Sequence, residues 1–155
     1  MSKLVDFPTS LPTIPIPNQT NAAEIVASFA QRLERLEIHD FKDDAVWRDT
    51  FALTGTSRTF YTSSSITAAW HETIKRAKAG SFIIDEKGTH IVRSPFGPHW
   101  IQARFCFETK WIPQTTCTGL VTLVLVSDGE WRIWTLRTIL EQLLKVNQML
   151  MFWKE

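Results

Sequence analysis

Asp128-Gly129-Glu130-Trp131-Arg132-Ile133-Trp134-Thr135-Leu136-Arg137-Thr138 is the stretch that decides the fold class. A turn dipeptide leads into a run of strand formers. Alternation along a strand sends Trp131, Ile133, Thr135, Arg137 and Ile139 to one face. It sends Arg132, Trp134, Leu136, Thr138 and Leu140 to the other. Neither face is simply polar, so both are expected to lie against protein. An Arg and a Thr set among large apolar residues predict a partly polar cavity.

Upstream of this stretch the pattern is nearly all strand. Thr115–Val126 and Trp100–Trp111 read as long strands joined at Ile112-Pro113-Gln114. Phe82–Asp85 and Thr89–Arg93 flank Glu86-Lys87-Gly88, a predicted hairpin turn. Further upstream two helical patterns appear. Asn21 with Glu24 three residues on signals a helix start, and Ile25, Phe29, Leu33 and Leu36 form an apolar stripe. This predicts a helix over 22–38. Ser63-Ser64-Ser65 offers N-caps for a second helix with Ile66, Trp70 and Ile74 on one side, closing at Ala79-Gly80. Between the helices, Ala45–Leu53 reads as a strand, 54–57 as a turn and Arg58–Tyr61 as a short extended piece. The order, helices and short strands followed by long antiparallel strands, predicts an α+β fold with helices on one face of a curved sheet.

Pro8, Pro12, Pro15 and Pro17 make residues 1–20 an extended arm, since proline lacks an amide donor and restrains its predecessor. The domain is expected over 21–145, with a tail over 146–155. Apolar residues from Ile139 to Trp153 suit a closing helix or an apolar extension.

Composition narrows the function. Apolar residues make up 44%, charged residues 21%, and the net charge is +1. No basic footprint suggests nucleic acid, and no apolar run is long enough to span a membrane. The expectation is a cytoplasmic protein. Seven Trp and ten Phe against one Tyr predict a dense aromatic core or an aromatic pocket. Cys106 and Cys117 are expected as reduced thiols. The scattered His39, His71, His90 and His99 give no ligand spacing, so no metal site is expected.

Two motifs carry a family resemblance. One is Asp44-Ala45-Val46-Trp47-Arg48-Asp49, followed by Ala52-Leu53-Thr54 and Arg58-Thr59-Phe60; the other is Asp128–Leu136, continuing to Leu140-Glu141. Together they make the chain resemble the nuclear-transport-factor-two-like (SnoaL-like) superfamily. Within it, the chain is similar to the N-terminal domain of fungal flavin-containing monooxygenases. The resemblance implies a cone: a strongly bent, mostly antiparallel sheet (a cystatin-like α+β barrel) wrapped around the N-terminal helices over an internal pocket. It also implies a flavin-binding Rossmann unit, yet this sequence holds no Gly-x-Gly-x-x-Gly fingerprint, so no cofactor is expected. Stand-alone members of the superfamily imply an isomerase, cyclase or dehydratase. It would move protons on a hydrophobic intermediate of fungal secondary metabolism. The alternative is a non-catalytic ligand-binding or assembly module.

The resemblance directs the first and last strands into the pocket. Alternation puts Trp47 and Asp49 on one face of the first strand. An Asp shielded beside an indole is disfavoured as an anion unless paired, which suits a general acid or base. A structural ion pair with Arg48, Arg58 or Arg137 is the plainer role for it. Arg137 would hold a developing oxyanion or orient Asp49, and His71 would assist. Ile139 stands where several superfamily enzymes place a second carboxylate. Substrate-binding candidates are Trp47, Tyr61, His99, Trp100, Arg104, Trp131 and Thr135, although large rings are more often core than ligand platform. A homodimer is expected through the outer sheet face, with Arg132, Trp134 and Leu136 as candidates.

Overall fold

The computed structural model describes residues 8–95, 97–111 and 113–143. Six strands form one sheet in the order β2-β1-β6-β5-β4-β3. They are β1 (Phe41–Thr50), β2 (Ser57–Tyr61), β3 (Gly80–Arg93), β4 (His99–Thr109), β5 (Thr115–Leu125) and β6 (Trp131–Leu143). All pairings are antiparallel except β1 with β6. Helices α1 (Ala22–Ala30) and α2 (Ser63–Ala77) supply apolar residues to the core inside the sheet. The fold is the expected α+β arrangement of helices with a curved sheet.

The structure departs from the sequence pattern at several places. The first helix ends at Ala30 rather than 38, and two short 3-10 turns follow, Leu33–Arg35 and Ile38–Asp40. Tertiary partners take the carbonyls that a longer helix would use. The Trp70 indole donates to the Leu33 carbonyl at 2.8 Å, and His71 Nε2 lies 2.6 Å from the Leu36 carbonyl. The buried stripe is therefore Val26, Phe29, Leu33 and Leu36, and Ile25 is only partly covered.

The predicted hairpin at Glu86-Lys87-Gly88 is instead a bulge inside one strand. Both halves of β3 pair with β4, Asp85 opposite Arg104 and His90 opposite Gln102. The extra residues are pinned where Arg104 donates to Asp85 at 2.9 and 3.2 Å and the Lys87 amide donates to the same carboxylate at 3.1 Å.

The first strand runs Phe41–Thr50 and stops before the predicted Leu53. The last strand runs on to Leu143, so Ile139–Leu143 is sheet rather than tail. The tail expected over 146–155 lies outside the described residues.

β6 carries the difference that matters most for function. Thr135 opposes Thr122 and Ile133 opposes Leu123, leaving Trp134 as an extra residue. One inserted residue reverses the alternation beyond it. Past the bulge, Leu136 and Thr138 point inward and are buried, while Thr135 and Arg137 point outward.

The interior is filled with rings. Trp47 stacks on Phe60 at 4.7 Å and meets Trp70 edge-on at 5.1 Å. Phe82 stacks on Phe107 at 5.0 Å and tilts against Phe105 at 5.9 Å. Trp47, Trp70 and Phe105 are fully buried.

Residues 8–20 run as an extended strap from β1 and β6 to β3 and β4. Thr9 accepts from the Trp134 indole at 3.0 Å, and Arg93 donates to the Ile16 and Pro17 carbonyls. The Ser10 amide and hydroxyl both donate to Asp44, and Lys42 lies 2.7 Å from the same carboxylate. Partial burial alone would raise the Asp44 carboxyl. The Lys42 ammonium and the Ser10 donors outweigh it and bring the pKa down to about 2 from 3.8. A depressed carboxylate stabilises its contacts above its unfolded pKa and loses that contribution as pH falls through the folded value. Amide exchange at Ser10 is therefore expected to speed up as pH falls from about 4 towards about 2, beyond the ordinary pH dependence of exchange. The Asp44→Asn protein should lack that step. An identical profile in both proteins would refute this anchor.

Candidate functional site at one end of the cone

Asp49 lies on β1, fully buried, facing inward beside Trp47. Its carboxylate accepts from four protein donors. The Leu53 amide reaches both oxygens at 3.1 Å, and the Thr54 amide and hydroxyl reach Oδ2 at 2.8 and 2.7 Å. The Thr138 hydroxyl donates to Oδ1 at 2.6 Å, and the Trp47 indole donates to Thr138 at 2.9 Å. This network joins β1 to β6 and clamps the loop 51–56. Its donors already occupy the carboxylate that a reaction would need.

The expected partner of Asp49 is therefore replaced. The bulge puts Thr138 in the chamber, opposite Asp49 in the sheet register. It puts Arg137 outside, opposite Arg48. Neither Arg48 nor Arg58 pairs with Asp49: Arg48 donates to Thr59 and Ser57, and Arg58 lies over the Phe60 ring at 4.7 Å.

The other candidates do not converge on one chamber. His71 sits on the flank of α2, 2.6 Å from the Leu36 carbonyl and 3.9 Å from Glu37. His99 Nδ1 accepts from the Ile16 amide at 3.1 Å, under the strap. Trp100 lies edge-on to Trp134 at 6.0 Å on the outer face. Tyr61 is exposed. Arg104 is outside, held by Asp85. The Thr135 hydroxyl is 2.6 Å from that of Thr122. Trp131 borders a shallow recess with Ile25, Phe29 and Arg32.

The residues expected at a dimer face are similarly committed. Leu136 is inside, Trp134 bonds the strap, and Arg132 donates to Asp128 and to the His39 carbonyl. Cys106 and Cys117 are both free thiols. Burial raises the Cys117 thiol pKa, which keeps it protonated and unreactive. Among the described residues no cluster of His, Cys, Asp and Glu forms a metal cage. No helix among them is long and apolar enough to cross a membrane.

A different site emerges where β1 ends, β4 turns into β5 and β6 finishes. Here Phe51, Trp111, Pro113, Leu140 and Leu143 border an open groove of about 580 Å³. Phe51 is the telling residue. Its φ is 62°, a left-handed value that a bulky side chain adopts at a cost, yet the residue is 53% exposed. Its amide donates to the Thr56 carbonyl at 2.9 Å, closing the loop that Asp49 clamps from below. Strain of this kind persists where surrounding structure over-determines it. Asp49 holds the Leu53 and Thr54 end of the same loop, and Phe51 stands at the rim of the groove.

No family model and no curated protein matches the chain. Solved structures do. An NTF2-like protein of unknown function from Mesorhizobium loti is 14% identical, with 83% of this chain and 98% of that chain covered at a TM-score of 0.53. The chain has the nuclear-transport-factor-two-like fold. Two further solved structures are similar to the chain in fold. ActVI-ORFA from Streptomyces coelicolor is 17% identical, covering 78% of this chain and 98% of that chain with a TM-score of 0.55. A ketosteroid isomerase-like protein from Erwinia carotovora atroseptica is 14% identical, covering 78% and 92% with a TM-score of 0.51. At such identities the likeness establishes the NTF2-like fold and no activity.

The sequence could have disclosed the clamp. Asp49 followed by Leu53-Thr54-Gly55 is an acceptor placed ahead of turn amides, a local pattern that competes with continued strand. The groove residues left no such trace, because Phe51, Trp111 and Leu140 come from three distant segments.

Proposed function

We propose that this NTF2-like cone is a non-catalytic binding module that takes a hydrophobic small molecule in the groove beside Phe51. One observation carries the reading: the inward carboxylate is saturated by protein donors, while Phe51, in the loop it clamps, is exposed over an apolar groove. Ligand sites of this kind are concave, largely apolar and preformed, within a few hundred Å³. The groove is mainly apolar, of that size and open to solvent, whereas the chamber behind it is occupied by stacked rings.

1-Decanol is a suitable uncharged probe, with binding followed by isothermal titration calorimetry. Phe51→Ser is expected to weaken binding roughly tenfold, as expected from losing one buried aromatic contact of about 1.5 kcal/mol. The variant should melt within a few degrees of the wild type. Unchanged decanol affinity in a folded Phe51→Ser protein would remove the groove as the site.

A second reading is supported by the isomerase name among the fold neighbours. In it the chain is a cofactor-independent isomerase- or cyclase-type enzyme of secondary metabolism, and Asp49 is its acid or base. The motif likeness to the fungal monooxygenase N-terminal domain belongs to both readings. Catalysis would require Asp49 to release the Leu53 and Thr54 donors, so the second reading stands or falls on whether Asp49 can be neutralised without loss of the fold.

A further inference from the structure

Beside the apolar groove lies a polar one of about 560 Å³, and the two share Thr54 and Arg76. Its basic residues are Arg58 and Arg76, with Glu72 between successive turns of α2. Arg76 therefore stands where an apolar trench opens into a polar bay. Among the described residues its guanidinium has one charged partner, a loose ion pair with Glu72 in which Nη1 is 3.7 Å from Oε1, beyond hydrogen-bond distance, and the side chain is half exposed. Arg58 is held by a ring face rather than by an acid. Among the residues that line the bay, two arginines against one glutamate leave a single excess positive charge, with Asp49 buried behind Thr54.

From this charge pattern we propose that the ligand is an amphipathic monocarboxylic acid. Its apolar body lies along Phe51, Trp111 and Leu140, and its carboxylate is received by Arg76 with Arg58 behind it. The inference rests on the groove reading above and adds the headgroup. The planar guanidinium fork matches a carboxylate with two parallel hydrogen bonds, which a lysine could not reproduce. The single excess charge balances one negative charge, favouring a carboxylate over a phosphate dianion. Glu72 lies on the same helix one turn earlier, so a second negative charge would meet repulsion.

Titration calorimetry at neutral pH with decanoate, 1-decanol and decyl phosphate tests this on the full chain. Decanoate is expected to bind about tenfold more tightly than 1-decanol, the order of one charge-assisted contact at a partly exposed site. Arg76→Gln should abolish the preference, bringing decanoate down to the level of 1-decanol. Raising the salt concentration should shrink the preference in the wild type alone. Arg76 is an exposed residue of the last turn of α2, and unaltered melting of the variant will show that the fold is intact. Equal binding of decanoate and 1-decanol, or decanoate binding that survives Arg76→Gln, overturns the carboxylate assignment and leaves the groove standing. Tighter binding of decyl phosphate than of decanoate also overturns it. Failure of all three probes to bind removes the groove reading as well.

Discussion

Replacing Asp49 by Ala is expected to destabilise the fold by about 3–5 kcal/mol, since buried donors lose their shared acceptor. The Leu53 and Thr54 amides cannot turn away, because their positions are fixed by the chain. The Thr54 and Thr138 hydroxyls can rotate, but Thr138 would then serve only the Trp47 indole. Asn at the same position is the sharper variant. It retains one carbonyl oxygen and turns an NH₂ group towards donors, with an expected cost of about 2–4 kcal/mol. Urea unfolding monitored by tryptophan emission will measure both. A catalytic carboxylate behaves in the opposite way: groups held for chemistry are often poorly satisfied, and neutralising them leaves stability unchanged or improved. Wild-type stability in Asp49→Asn would therefore favour the enzyme reading over the clamp.

Gly119→Ala is expected to cost about 3 kcal/mol, at the upper end of what overpacking a core produces. A Cβ at this position would lie 2.0 Å from the Phe105 ring, whose face covers β5 there. Glycine permits that close approach. The ring has little room to retreat. It is fully buried, with Phe82 and Phe107 each 5.9 Å away. The prediction is therefore also a test of how solid the chamber is. In a Phe105→Leu background, which is itself less stable, the added methyl should cost at least about 1.5 kcal/mol less, a coupling of the size seen between contacting residues. A Gly119→Ala protein as stable as the wild type would show that the rings can move aside and that the interior has space for a guest.

The elements of the cone were legible because each carries a strong local signal. α2 shows Ile66, Trp70 and Ile74 four residues apart, and all three reach the core. β4 buries Ile101, Ala103, Phe105 and Phe107 by simple alternation. Reading failed where one residue changes the phase. Trp134 looks like any other strand residue, yet as the bulge it turned Arg137 outward and Thr138 inward. The β3 bulge escaped for a related reason: Lys87-Gly88 has turn chemistry, but the pairing of both flanks with β4 is a long-range fact. The pairing of Asp49 with Trp47 on one face was visible from alternation; what saturates the carboxylate was not, because Thr138 is distant in sequence and its phase depended on the bulge. The groove was invisible for want of any periodicity joining Phe51, Trp111 and Leu140.

The central claim is that a guest binds at the rim and not in the chamber. Nuclear magnetic resonance of the tryptophan indole N–H signals during a titration with decanoate addresses it directly. Trp111 borders the groove, while Trp47 and Trp70 are sealed inside with their indoles bonded to Thr138 and to the Leu33 carbonyl. The account predicts that the Trp111 signal moves with ligand and that those of Trp47 and Trp70 stay in place. Movement of the Trp47 and Trp70 signals with Trp111 unchanged would contradict it.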